Sequence, residues 1–343
     1  MLMEPLQPIP IFLTETSGAD GGLICGYQIL DDGRVRSIAA ENMVEALAQD
    51  EFVTWLHFNL TDARARRWLL DAGLLPQALR EVLHDHDDNR RIEGADDDGL
   101  LVVMSDFTFD VDADPSEVGP LWCFLNRHVL ITARQRALRS VDELRLQLRG
   151  GSTDARSGAE LLASLLDMRS ARLKRLANEM IEHMDNIEDE ILAGDIREQR
   201  AQLGRTRRLC ARLRRQFVPE RADLRKFLQR PTVVLDEADR DALQSSAETL
   251  GFAIEEIAEL YERAKLLQEE LAARLAENTG RNLYVLSILT AVLLPMTLVT
   301  GIFGMNVPDL PGLHSEGAFW RIMLLIFASG GVTLAAFFWR KLL

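Results

Sequence analysis

No charged residue interrupts the chain between Arg281 and Asp309, and none falls among the 18 residues IMLLIFASGGVTLAAFFW between Arg321 and Arg340. At about 1.5 Å per residue each run can cross a hydrocarbon core of about 30 Å, the second only just. The pattern predicts two membrane-spanning helices. Two buried core helices are the competing reading, disfavoured because such helices seldom go so long without a charged face. From about residue 8 to 135, β-rich runs (9–14, 23–30, 53–60, 100–109, 121–125 and 129–133) alternate with short helical patterns such as DARARRWLLDAG and PQALREVLHD. From about 137 to 230 the pattern is helical, with Gly150, Gly151, Gly158 and Pro219 as punctuation. A third, uninterrupted helical pattern runs from about Asp236 into the first span. Its apolar positions Leu250, Ile254, Ile257, Tyr261, Ala264, Leu271 and Leu275 fall near a heptad rhythm, with Leu267 one place out of step. Nearly seventy helical residues extend about 100 Å, which predicts a stalk that self-associates. The expected fold class is α+β: an α/β domain over 1–136, a helical region over 137–281, and two transmembrane helices within 282–343 joined by a loop at 307–317.

The N-terminal MLMEPLQPIPIFL has neither a basic n-region nor a small-residue cleavage site, so the large domain is expected to stay in the cytoplasm. Arg274 and Arg281 precede the first span and Arg340 and Lys341 follow the second, while the connection from Val307 to Ala318 has no Lys or Arg. Both ends are therefore expected inside and the loop outside, with Arg321 snorkelling to the outer headgroups. The net charge of −14 sits almost wholly in the first 281 residues, because residues 282–343 sum to +1. An acidic body argues against nucleic acid and for cations. The basic run Arg205, Arg207, Arg208, Arg212, Arg214 and Arg215 then reads as a solvated helix face opposing acidic helices. Cys25, Cys123 and Cys210 are scattered, form no CxxC pair, and read as reduced, buried thiols.

The run PMTLVTGIFGMN closes the first span, a long helical pattern leads into it, and Gly304, Met305 and Asn306 spell a Gly-Met-Asn tripeptide. In this context the chain resembles the CorA superfamily of divalent-cation transporters over essentially its whole length. The resemblance implies a homopentamer in a bacterial inner membrane. First spans would line a central pore, stalks would form a cytoplasmic funnel, and an Asn306 ring would meet the incoming hydrated ion. Within the superfamily, TWLHFNLTDARARRWL with Trp55, Leu56 and His57, the phrase DNRRIEGADDDGLLVV and the outer turn PDLPG are similar to the zinc-transporting ZntB branch. Two features depart from it: Met305 is kept, and Val307, Pro308 and Asp309 follow the signature where many ZntB-like chains have a glycine pair. Zinc is thus the expected cargo. A magnesium or cobalt channel of the CorA type is the alternative, and nickel and cadmium are further candidates.

The residues themselves suit ion passage. Counting back from Gly304 in steps of three and four gives Gly301, Thr297, Leu294, Thr290, Ser287, Leu283 and Gly280, one helix face. Copies around an axis would form hydroxyl rings at Thr297, Thr290 and Ser287 and apolar constrictions at Leu294 and Leu283, where dewetting could gate. Small-residue helix packing is the plain alternative. The stripe has no His, Cys, Asp or Glu, which a bare zinc ion would want, so a hydrated ion handled by water, amide and carbonyl oxygens is expected. Pro295 frees the carbonyl of Ala291. Asp309 and Glu316 would make the outer mouth acidic. His84, Asp85, His86, Asp87 and Asp88 are either a regulatory cation site or an exposed helix end, and Asp96, Asp97 and Asp98 read as a hairpin turn. No Walker loop, dinucleotide fingerprint, nucleophile elbow or HExxH is present, so an enzyme is not expected and no resident cofactor is implied. A membrane-anchored cytoplasmic sensor stays as a remote alternative.

Overall fold

The β-rich runs assemble into one seven-stranded sheet. The computed structural model describes residues 22–71, 77–84, 88–95, 99–109, 116–193, 199–230, 232, 234–305 and 317–339. The run at 9–14 lies outside them. Two compact units are present, Met1–Leu266 and Leu267–Leu343.

In the first unit the strands are β1 (Leu23–Ile29), β2 (Val35–Ser37), β3 (Val53–Asn59), β4 (Arg91–Ala95), β5 (Gly99–Phe107), β6 (Val118–Leu125) and β7 (Val129–Arg134). Their spatial order is β2-β1-β3-β7-β6-β5-β4. Among the described residues only β3 and β7 run parallel, with Trp55 opposite Leu130 and His57 opposite Thr132. Every residue of β5 is buried, as a strand must be when both sheet faces are covered. One face packs on α1 (Met43–Leu47), α2 (Ala63–Asp71) and α3 (Gln77–His84) through Met43, Ala65, Leu69, Val82 and Leu83. The other packs on α4 (Arg139–Arg149) and α5 (Gly158–Ala193) through Val141, Leu144, Leu161 and Leu165. The sequence pattern passed over β2 and β4, which lie at the two edges and read VRS and RIEGA. Edge strands keep one side open to solvent and need no apolar run.

Three long helices complete this unit: α5, α6 (Gln199–Leu228) and α7 (Glu237–Phe303), the last extending on into the second unit. Pro219 lies inside α6 instead of ending it. A proline removes the donor for the carbonyl four residues back, here that of Arg215. The Arg90 guanidinium donates to that carbonyl at 3.4 Å and to the carbonyl of Gln216 as well, so the helix continues.

The first part of the stripe expected to hold copies together is taken up within the chain. Leu250, Ile254 and Ile257 pack with Ala253 and Leu260 against Leu173, Leu176 and Met180 of α5 and Leu213 and Phe217 of α6. Near-heptad spacing is what any helix needs to bury one face, and its own chain supplies the partners first. The arginine run has a matching explanation. Arg214 lies over the Tyr261 ring at 5.3 Å; further along α6, outside the run, Arg221 reaches Glu255 at 3.4 Å and its guanidinium fills the space above Gly251, where a Cβ would sit 2.3 Å from it. Arg214 of the run therefore faces α7 of the same chain.

In the second unit the continuation of α7 packs beside α8 (Ala318–Trp339). A Cβ on Gly330 would come within 2.9 Å of the Met296 sulfur, and Val292 lies just beyond. The missing side chain is what allows the close approach.

Candidate functional site

Both C-terminal helices are long and apolar enough to cross a membrane, and they are not core helices. None of the most apolar window of α7 is buried, and only 6 % of that of α8. Phe319 and Trp320 stand exposed at one end of α8 and Trp339 at the other, where interfacial aromatics belong.

Two faces of α7 differ in this span. Tyr284, Ile288, Ala291, Val292, Pro295, Met296, Val299 and Phe303 are half-buried, and Val292 and Met296 are the residues beside Gly330 of α8. Leu283, Ser287, Thr290, Leu294, Thr297 and Gly301 are all exposed. At about 100° per residue the two sets are centred roughly 150° apart, so the small and hydroxylated stripe looks away from α8. Each of its hydroxyls donates to a carbonyl of its own helix: Ser287 to Leu283 at 2.8 Å, Thr290 to Leu286 at 2.8 Å, Thr297 to Leu294 at 2.9 Å. Once the proton is spent on the backbone, the oxygen presents only lone pairs outward. Such a surface accepts hydrogen bonds from water around a cation. Thr297 reaches three residues back where the others reach four, next to the break in the ladder at Pro295. Leu294 is 67 % exposed and Leu283 59 %, so both constriction candidates point off the packed core.

The helix ends at Phe303. Gly304 N–H still bonds the carbonyl of Thr300 at 2.9 Å, and Met305 is exposed. Asn306, Asp309 and Glu316 lie outside the described residues, as do Asp85, His86, Asp87 and Asp96 to Asp98. His84 ends α3 and Asp88 is exposed beyond it. Among the described residues no group of three or more His, Cys, Asp or Glu side chains could hold a metal ion. The three cysteines are free, and burial pushes the Cys25 and Cys210 thiols up to about 12.

Among the described residues of the first unit, two buried polar centres hold a group that burial shifts far from its usual pKa. His57 of β3 is buried opposite Thr132 of β7. Arg134 Nε donates to its Nε2 at 3.0 Å, so that nitrogen carries no proton. Nδ1 must then donate to Thr132 Oγ1 at 2.8 Å, which also accepts from Trp55 Nε1 at 2.9 Å. Burial, with the charges of Arg134 and Arg145, holds this imidazole well below its usual pKa. Trp55 and His57 are thus interior sheet residues. The second centre was missed in the sequence. Arg169 of α5, fully buried, pairs with Glu220 of α6 and donates to the Ser105 carbonyl at 2.9 Å. Next to it, Asp106 accepts from Ser140 N–H at 3.1 Å, Ser140 Oγ at 2.6 Å and Phe107 N–H at 2.8 Å. Burial lifts the Asp106 carboxyl to about 6 despite these donors and the nearby Arg169. A signal for this centre existed: Arg169 and Glu220 fall in phase with the apolar positions Leu162, Leu166 and Leu173, and Leu213, Phe217 and Leu224.

Residues 50–341 match the family model described as CorA-like Mg2+ transporter protein. The chain is 26 % identical over 312 residues to the zinc transport protein ZntB of Pectobacterium carotovorum subsp. carotovorum, covering 91 % of this chain and 93 % of that one. It is 29 % identical over 325 residues to the divalent cation transporter CmaX of Pseudomonas aeruginosa, covering 94 % and 96 %. The structure of full-length CmaX matches with a TM-score of 0.79 at 28 % identity over 94 % of this chain and 98 % of that one. The CorA magnesium transporter from Methanocaldococcus jannaschii shares the fold, with a TM-score of 0.74 at 15 % identity over 92 % and 97 % of the two chains. With the sheet domain, the long helix and the two apolar C-terminal helices in place, this match over most of the sequence shows that the chain belongs to the CorA-like family, divalent-cation transporters and not enzymes.

Proposed function

We propose that this chain forms a homopentamer that admits zinc through a central pore lined by the C-terminal part of α7. The observation that carries the reading is the exposed, hydroxylated stripe turned away from α8 in a segment without charge. A surface that presents oxygen lone pairs between apolar rings is suited to a hydrated cation that must bind and leave. Thr297, Thr290 and Ser287 supply the oxygen rings, Leu294 and Leu283 the constrictions, and Gly301 and Gly304 room for water at the mouth. Asn306 receives the ion through its amide oxygen, Met305 is its partner in the signature, and Asp309 and Glu316 concentrate cations outside. In this reading residues 1–136 and 137–281 are the cytoplasmic domain and funnel, residues 282–343 lie in the bacterial inner membrane, and both termini face the cytoplasm. The sequence similarity to a protein named for zinc transport supports the choice of ion.

Reconstituted vesicles test it. Asn306→Ala pentamers of normal mass should take up no zinc, and near-normal uptake would sink the selectivity role. Asn306→Asp should bind zinc at the mouth yet pass it more slowly than the parent. A second reading, magnesium or cobalt as cargo, draws on the intact Met305 and on a stripe without soft ligands. Competitive uptake of zinc, magnesium and cobalt by one vesicle preparation separates the two.

A further inference from the structure

With Leu250, Ile254 and Ile257 committed to its own core, the cytoplasmic part of α7 offers a different surface. Phe252 is 67 % exposed and Leu266 63 %. They lie two heptads apart, with the exposed Glu259 midway, and therefore on one side of a supercoiled helix about 21 Å along its axis. Glu248, Glu255 and Glu262 flank them, all exposed. Two such stripes laid against each other would oppose glutamate to glutamate, so an isologous contact is disfavoured. The same chain carries the complement. On α6, Arg208 and Arg215 are exposed and Val218 is 44 % exposed, on the side away from the core shared with α7.

The heights agree. Arg214 lies over Tyr261 and Arg221 reaches Glu255, which fixes how α6 runs antiparallel beside α7. Arg215 and Val218 then lie within about 2 Å of the level of Glu259, and Arg208 within about 2 Å of that of Leu266. A ring closed about an axis parallel to these helices preserves height from copy to copy.

We propose that the Phe252, Glu259 and Leu266 face of α7 docks on the Arg208, Arg215 and Val218 face of α6 in the next copy of this chain. The contact is head-to-tail: Glu259 meets Arg215 with Val218 beside it, and Leu266 lies along the aliphatic stem of Arg208. It gives an acidic protein a way to assemble with itself without opposing like charges. The inference builds on the assembly reading above but fixes which surfaces meet.

The test is a disulfide across the contact in the full-length protein in membranes. Glu259→Cys/Arg215→Cys, oxidised mildly, should give a ladder of linked copies on a denaturing gel, running past dimer, while each single variant and the parent give none. Dimers from Glu259→Cys alone would show that the stripe faces its own counterpart and would overturn the proposal. So would a folded double variant that stays unlinked. Arg208→Glu/Arg215→Glu introduced beside a Leu266→Cys/Ala211→Cys pair, where Ala211 is exposed on α6 near the level of Leu266, should slow linking about tenfold, and adding Glu259→Arg/Glu262→Arg should restore it; an unchanged rate overturns the charge match. A ladder that closes at a number other than five would remove the pentamer and leave this contact standing.

Discussion

The two ends of α7 are built from the same helix and solve opposite problems. From Leu243 to Leu260 the helix buries one face against α5 and α6, and its charges line the outside. From Asn282 to Phe303 it has no charge and no buried residue. In water, an apolar face signals a partner within the chain. Where all faces are apolar, the informative face is the one that is least so, here Ser287, Thr290 and Thr297. The same rhythm of three and four thus means packing in one place and, in our reading, passage in the other.

The largest effect should come from confusing the two regions. Ile254→Asp/Ile257→Asp places two carboxylates among Leu173, Met180 and Phe217, and should cost roughly 4 kcal/mol or more. Thermal unfolding in detergent should show a collapse of the protomer itself, not merely of the oligomer. A folded variant would mean these residues are not core. The matching change in the span, Leu294→Asn, should leave the unfolding midpoint within about 2 °C, because the side chain is 67 % exposed, while raising basal ion leak into vesicles.

Next is the contact that holds the span helices together. Gly330→Leu must displace Met296, at about 1–3 kcal/mol, and should lower both the midpoint and the uptake rate. Gly331→Leu, where a Cβ meets nothing within 4 Å, should do neither.

Acid separates the regions more gently. The span has no Asp, Glu, His, Lys or Arg between Asn282 and Met305, so its stability should not follow pH. The first unit holds two opposed groups. Asp106 titrates near 6 when folded against 3.8 as a free carboxyl, so the folded state binds more protons between those values and this group's contribution falls as pH rises through that window. His57 is depressed below 6.5, so the unfolded state binds more protons there and its contribution rises with pH up to about 6.5. Asp106→Asn should therefore steepen the loss of stability on acidification from pH 6 to 4, and His57→Gln should flatten it. Midpoints at three pH values decide, and identical slopes in both variants would contradict the assignment.

The smallest effect is expected at the outer mouth. Asp309→Asn/Glu316→Gln should slow zinc uptake a few-fold at low ionic strength and hardly at all at high salt, since steering is screened. An equal defect at both would count against steering.

Local pattern and composition are enough to encode part of this molecule. Two uncharged runs define the span candidates, the alternating runs from Leu23 to Ala133 define most of the sheet, and the tripeptide at 304–306 in its setting points to the family. Those signals survive without knowing any neighbour. Which partner each face meets emerges only once the chain has folded. Leu250, Ile254 and Ile257 look the same whether they bind a sister stalk or α5 and α6; distance alone tells them apart. Pro219 reads as a stop until Arg90, remote in the chain, supplies a donor for the carbonyl it leaves open. The edge strands β2 and β4 exist because a neighbour offers free backbone groups, and Arg169 with Glu220 is tolerated in the core because each charge finds the other. Pairing across sequence distance is a property of the fold, and a local pattern carries no trace of it until the chain has closed.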